Sequence, residues 1–417
     1  MRYLTAAEMR RDLKRVKRDS DSARTATPPP APQRQSRTRK GIESLAVLPL
    51  VNTSGDADSE YLSEGIAESL INSFSQLPKL RVVQQQKAFR YKGADIDLQD
   101  VARALNVQAI LTGKILLRGE TLVVKMALVD AERDAQLWGQ QYTKKVSDIF
   151  ALQDEIADEA LQALKLKLAG EPKKRTVGAT RDTDAYHLYL KGRHYWAKRT
   201  PPNTKKALEL YQQAIDRDPN YALAYAGLAD CYAMLGFTPY GTMRPSEAYP
   251  RAKAAAKKAL GLDASLGEAY GSQGFCAFWY DWDWAASDRA FRRCIELAPE
   301  SLGARVWYPI TLAILGRNQD ALREGQRLIE IDPLSVNALT AFAQALYLLR
   351  RYDDATALLH KALDIDPNYP TALVFVAFVH EARNQAAEGI AFMEKAVSVH
   401  AHPFWLALTG CLYGIAG

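Results

Sequence analysis

Few residues of this chain have the types and spacing to do chemistry. His400 and His402 form an H-A-H pair, and two imidazoles so placed can share a divalent metal when further ligands stand beside them. No third Cys, Asp or Glu ligand is near, and the other histidines, His187, His194, His360 and His380, are scattered. Residues 52–65, NTSGDADSEYLSEG, form a glycine-containing loop running into a helix start, a common anion site. Asp56, Asp58 and Glu60 would repel a phosphate there, no Lys or Arg offsets them, and the G-x-x-x-x-G-K spacing of a phosphate-cradling loop is missing. Those acids instead suit the positive end of the helix dipole. Cys231, Cys276, Cys294 and Cys411 lie far apart among apolar neighbours and are expected as buried free thiols. G-x-S-x-G and H-E-x-x-H are also absent. No catalytic residue, metal ligand or cofactor site is assigned, and no small-molecule substrate: the chain is read as one that works by binding.

The totals fit that reading. The chain has 417 residues, of which 48% are hydrophobic and 24% charged, the balance of an ordinary soluble protein. Its longest apolar run, ALVFVAFV at 372–379, is far short of the ~20 residues of a membrane span. Charges arrive at once at the N-terminus, so no signal peptide is read and a cytoplasmic location is expected. The net charge of +6 is uneven: residues 1–40 hold twelve Lys/Arg against four Asp/Glu, a balance of +8, which leaves −2 for the rest. This excess is read as solvated linker, so a nucleic-acid partner is not expected.

The elements that position any binding residue are repeats. AIDRDPN, ALGLDAS, CIELAPE, LIEIDPL, ALDIDPN and AVSVHAH close successive units at residues 219, 264, 299, 333, 367 and 401. The last three steps are 34 residues each, preceded by steps of 45 and 35. A 34-residue period identifies tetratricopeptide repeats (TPRs), each a pair of antiparallel helices stacked into a right-handed superhelix. Six are visible over 183–401, with small residues at Ala207, Ala252, Ala321 and Ala355 allowing close helix approach. HPFWLALTGCLYGIAG, from 402, is read as the first helix of an unfinished seventh. That helix is expected to lack a cap, as in a truncated chain, and to offer a surface for self-association. The first helix of each pair lines the concave groove, which places Asn337, Thr340, Gln344, Tyr347, Thr371, Phe378 and Glu381 as candidate partner-binding residues. By these positions the groove reads as mixed and largely uncharged, for a protein or peptide partner. Pro309 is expected to kink its helix. The cluster of Trp279, Tyr280, Trp282 and Trp284, and the 237–247 insertion, are further places where binding residues can sit.

Upstream, the pattern is mixed. Short apolar runs at 44–51 and 80–83, three strand-like runs in 108–142 and helical spacing at 60–77 and 147–168 predict the order β-α-β-α-β-β-β-α. The phrases SLAVLPLVNTSGDADSEYLSEGIAESLINSFSQLPKLRVV, ALNVQAILTGKILLRGETLVV and LWGQQYTKK resemble the TolB amino-terminal, FlgO-like domain, which implies assembly and binding over catalysis. The fold class expected is thus an α/β sandwich followed by an all-α TPR solenoid. Its boundaries are 43–170 for the sandwich, 171–182 for a linker and 183–417 for the repeats.

The opening segment raises one more reading. YLTAAEMRRDLKRVKRDSDSAR has a capping box, Thr5 with Glu8, and an apolar stripe of Ala6, Met9, Leu13 and Val16. It resembles the last helix of the catalytic domain of bacterial receptor-type serine/threonine protein kinases, in which a Pro-rich linker, a TolB-like module and TPRs can follow. Residues 1–19 are on that basis the remnant of such a helix and 20–42 a disordered, basic, Pro-rich linker. The Gly-rich loop, strand lysine, H-R-D-x-x-x-x-N and D-F-G that phosphoryl transfer needs do not occur. Two functions follow: a non-catalytic scaffold of a bacterial signalling protein, binding through the groove; or the regulatory C-terminal fragment of an ATP-dependent kinase lacking its catalytic domain. A transcription regulator or nucleotide cyclase built on the same halves is a third, against which the kinase-like helix argues.

Overall fold

Strand β5, Thr121–Asp130, shows how the sheet is written: Leu122, Val124, Met126 and Leu128 alternate with outward residues, and all four are buried. A computed structural model describes residues 42–417 apart from 57–58, 78, 94–95, 165–179, 199, 238–240 and 300–301. The expected kinase-like helix, nearly all of the basic linker and most of the 171–182 linker lie outside the described residues. β4 (Ala109–Arg118) and β6 (Ala135–Lys145) flank β5 antiparallel. Gly119 sits at φ 58° in the two-residue hairpin between β4 and β5, a conformation that suits glycine. On the other side β1 (Ser44–Val47) pairs parallel with β4 and with β3 (Arg81–Val82). The order is β3-β1-β4-β5-β6, with β2 (Val51–Asn52) running parallel to the later part of β4. The apolar run 44–51 is therefore two strands, with Pro49, which has no ladder donor, between them.

Both faces of the parallel edge are covered. Leu45 and Val47 point into a core shared with α1 (Glu60–Phe74) and α4 (Ile149–Ala163). Ala46 and Leu48 point the other way, against the short α2 (Gln85–Ala88) and α3 (Leu98–Leu105). Asp97 caps α3 as its sequence suggests, accepting from the Gln99 and Asp100 amides at 2.8 and 3.2 Å. The acidic loop before α1 closes differently: Asn52 Nδ2 donates to the Asp56 carbonyl and to Ser59 Oγ, both at 3.0 Å.

From Thr183 onward the structure is an all-α TPR solenoid. The pairs are α5 (Thr183–Ala197) with α6 (Pro201–Arg217), α7 (Ala222–Gly236) with α8 (Pro245–Leu262), and α9 (Gly267–Cys276) with α10 (Trp284–Leu297). They continue as α11 (Leu302–Ile314) with α12 (Asn318–Ile331), α13 (Val336–Leu348) with α14 (Tyr352–Ile365), and α15 (Pro370–Ala382) with α16 (Ala386–Val399); α17 (Pro403–Ala416) follows. Ala207, Ala252, Ala321 and Ala355 are fully buried where second helices pack. Helix α11 continues through Pro309. No helix among the described residues is long and apolar enough to cross a membrane.

The turns inside the pairs explain one irregular step of the repeat. Gly316, Arg350 and Asn384, 34 residues apart, all adopt positive φ as left-handed helix ends. Trp282 holds the same place at φ 57°, so the extra residue of the 35-residue third unit lies before it. It is absorbed as a π-helical turn, Ala277–Asp281, between α9 and Trp282.

The sheet half and the solenoid share one core. Leu62, Ile66 and Leu70 of α1 belong to the same buried cluster as Leu190, Tyr211, Tyr221 and Ala256. Gly65 allows that approach, since a Cβ there would collide with the Leu190 side chain. Around it lie Glu68 paired with Arg193, Glu64 with His194 at 3.1 Å, and Tyr61 edge-on to His187 at 5.9 Å.

Candidate peptide-binding groove

The first helix of each pair turns one stripe inward. On α7 these are Leu223, Ala226, Asp230 and Ala233; on α9, Glu268, Ser272 and Phe275, continued by Trp279 in the π-helical turn. On α11 they are Leu302, Val306 and Ile310, with Asn337, Ala341 and Gln344 on α13 and Thr371, Val374 and Phe378 on α15. Steps of three and four residues keep each stripe on one helix face. The stripes line a continuous cavity of about 2520 Å³, reached also by Trp405 of α17 and walled on the sheet side by Asn72, Gln76 and Gln84–Gln86.

Four of the seven sequence-derived groove residues are on this wall: Asn337, Gln344, Thr371 and Phe378. Thr340 is not; it is 1% exposed and turned into the packing between helices. Tyr347 and Glu381, in the last turns of α13 and α15, lie off the wall. Tyr347 meets Tyr352, Phe375 and Phe378 in tilted and edge-to-face contacts at 5.8–6.2 Å, supporting the lining side chains from behind.

The groove is not uncharged. Its wall carries Glu68 from α1, Asp154 and Asp158 from α4, Asp230 and Glu268, and Asp263 and Asp366 in turns, against one basic Lys/Arg side chain, Arg193, itself paired with Glu68. The reading of α13 and α15 missed this because their inner positions are neutral, and the acids come from the earlier pairs and from the sheet half. The spacing 226, 230, 233 on α7 and 268, 272, 275 on α9 is the signal that finds Asp230 and Glu268. Burial, then Glu268 and Asp230, push the Cys294 thiol up to about 12. Burial outweighs the pull of Arg193 to raise Tyr189 to about 12, with Glu68 and Glu268 adding to the rise. Cys231, Cys276 and Cys294 are buried free thiols, whereas Cys411 is exposed, because its side of α17 has no helix over it among the described residues.

Aromatic rings form part of the wall. Phe237, Phe275, Trp279 and Trp307 meet pairwise with centroids 4.9–6.2 Å apart, mostly edge-to-face. Phe237 belongs to the insertion after α7. That loop folds back onto α7, with Met243 N–H donating to the Leu235 carbonyl at 3.0 Å, and so anchors the cluster. Trp279 is 36% exposed, while Trp282 and Trp284 lie off the cavity wall. His400 and His402 stack at 5.9 Å, and His402 Nδ1 accepts the Phe404 N–H at 3.2 Å, capping α17.

A family model described as HilA/YgeH-like transcriptional regulator, second domain, matches residues 41–159, the stretch expected from its phrases to be TolB-like. "Putative adenylate cyclase 3" of Rhizobium meliloti is 32% identical over 187 residues, 45% of this chain and 32% of that protein. The transcriptional regulator HilA of Salmonella typhimurium is 25% identical over 302 residues, 71% of this chain and 51% of that protein. The chain thus spans about a third to a half of the length of the curated relatives it matches. Among solved structures, a tetratricopeptide repeat protein from Parabacteroides merdae aligns over 65% of this chain and 95% of its own at 16% identity and a TM-score of 0.43.

Proposed function

We propose that this chain is the protein-binding half of a bacterial regulator, and that its groove holds an extended segment of a partner protein. The observation that carries this is the cavity itself. At about 2520 Å³ it exceeds the roughly 300–1,000 Å³ of small-molecule clefts, and it is lined by one stripe from each successive first helix. Asn337, Gln344, Thr371 and Phe378 are its neutral contacts in this reading. The 43–170 and 183–417 halves act together in the cytoplasm, joined by their shared core.

The effector that such a half serves has two candidates. The resemblance of residues 3–24 to the end of a kinase domain favours a serine/threonine kinase. The relatives, by their names an adenylate cyclase and a transcriptional regulator, favour an effector of those kinds, and the HilA alignment covers 71% of the chain.

Screening the purified chain against a displayed peptide library tests the binding role. Enriched peptides are expected, and their binding is expected to fall at least about tenfold in a Gln344→Arg, Thr371→Arg variant that keeps the parent circular dichroism and melting curve. A library with no enriched sequence, or enrichment indifferent to those substitutions, overturns it.

A further inference from the structure

Taking the groove as a peptide site, we infer that its front section, formed by the second and third helix pairs and the adjoining face of the sheet half, selects an extended segment bearing lysine or arginine. Charge is the first argument. Six carboxylates, Glu68, Asp154, Asp158, Asp230, Asp263 and Glu268, line this section of the cavity against one arginine, which is tied to Glu68. Carboxylates gathered in a concave, partly enclosed wall focus their field inward and draw cations, while a nucleic-acid backbone is repelled.

The second argument is a carboxylate left incomplete. Asp263 is 5% exposed and on the cavity wall. Its Oδ1 accepts from Ser265 N–H and Oγ–H at 2.9 and 2.6 Å, but its Oδ2 has no hydrogen-bond partner among the described residues. That oxygen is screened from solvent, and a turn of the Asp263 side chain toward the cavity it lines would let a ligand's ammonium or guanidinium complete it.

The third is the aromatic wall beside these acids. On one stripe Glu268, Ser272, Phe275 and Trp279 follow each other, so a carboxylate and an exposed indole lie on the same face of α9 and its π-helical extension. Ser272 Oγ donates to Asp230 of the neighbouring helix, orienting that carboxylate on the same wall. Eleven residues, about 16 Å of helix, separate Glu268 from Trp279, so the wall suits successive side chains of one segment, with cationic heads at the carboxylates and an aliphatic or cationic stem against the indole. The rear wall, with Asn337, Gln344, Thr371 and Phe378 and a single acid, Asp366, suits a largely uncharged continuation of the same segment.

The experiment uses the whole chain and three fluorescein-labelled twelve-residue peptides of one apolar and glycine framework, carrying four lysines, four glutamines or four glutamates. Anisotropy is expected to show the lysine peptide binding at least about tenfold tighter than the glutamine one, with the difference shrinking as salt rises from 50 to 500 mM. Asp154→Asn, Asp158→Asn, Glu268→Gln, all at exposed positions on the wall, is expected to remove at least about fivefold of the lysine preference. Glu388→Gln, exposed and off the cavity wall, is expected to leave it unchanged. Glutamine and lysine peptides binding equally, both blocked by Gln344→Arg, keep the groove as a peptide site and overturn the basic selection. A lysine preference that survives the triple variant also overturns it, since the charge then acts elsewhere. Binding by none of the three peptides, with the displayed library also empty, removes both readings together.

Discussion

The second and third helix pairs and the fifth and sixth are built on one plan and use it differently. Both sets bury a small residue where the second helix packs, Ala252 in one and Ala355 in the other, and both turn on a left-handed residue. Their inner stripes diverge: Asp230, Glu268 and Trp279 in front, Asn337, Gln344 and Thr371 behind. Their anchoring diverges too. The second pair shares a core with the sheet half, the third packs in a cluster around Phe275, Phe291 and Cys294, and Leu339, Leu359 and Val376 form another behind. The lesson is that a solenoid separates what stacks it from what it touches, so inner faces are free to vary while the period holds.

The largest expected effect tests whether the front is one cooperative block. The Tyr211 ring fits a slot between two glycines; a Cβ at Gly227 would stand 2.6 Å from it and one at Gly192 2.7 Å. Tyr211→Ala should cost about 3–5 kcal/mol, measured by urea unfolding. Hydrogen exchange should quicken in β4 and β5 as well as in α5–α7, because the core is shared. Met393→Ala behind, with a fully buried side chain in the α15–α17 cluster, should cost about 2–5 kcal/mol and quicken exchange only there. Sheet amides untouched by Tyr211→Ala would break the comparison.

A smaller effect concerns an ion pair between the sheet half and the fourth helix pair. Arg90, just beyond α2, pairs with Asp332 at the end of α12, whose side chain is 4% exposed. Burial holds the Asp332 carboxyl above its usual value, and Arg90 pulls it part of the way back. A carboxyl raised by folding keeps its proton more readily folded than unfolded, so it weakens the fold as pH climbs from about 4 through its folded value. Arg90→Ala removes the opposing pull and should cost about 1–3 kcal/mol at pH 7, below the ~3–5 of a fully buried pair because Arg90 is partly exposed. The deficit should shrink toward pH 4, where Asp332 is increasingly protonated in both states; a deficit constant from pH 4 to 8 would mean Arg90 acts by packing alone.

How much of this was legible beforehand differs between the same regions. The 34-residue phrases declared the helix pairs, and the 122–128 alternation declared a half-buried strand, because burial writes a local period into the sequence. Pro49 splitting an apolar run into two strands follows from the ladder donor that proline lacks. The acidic wall was not legible from α13 and α15, since carboxylates from α1, α4, α7 and α9 converge only through tertiary placement. Thr340 was misassigned because it lies about 60° from Asn337 and about 100° from the lining Ala341 around the helix, past the edge of the stripe and toward the packing side.

The smallest effect isolates what the third pair gives up for its extra residue. Gly316, Arg350 and Asn384 hold the left-handed turn elsewhere, and glycine or asparagine takes that conformation at little cost. Trp282, at φ 57° and ψ 22°, carries a large Cβ substituent there and is 72% exposed, so little packing offsets the crowding. Trp282→Gly relieves that crowding but also loosens the unfolded chain, so the net gain should be about 0.5–1 kcal/mol, read as a raised urea midpoint at unchanged m-value. Trp282→Asn should gain slightly less. Neither should alter peptide binding, because the π-helical turn holding Trp279 lies before residue 282 and closes through Asp283 N–H to the Ala277 carbonyl at 3.0 Å. A loss of stability would mean that the indole holds a contact worth more than the backbone strain, and a loss of binding that the front wall extends past Trp279.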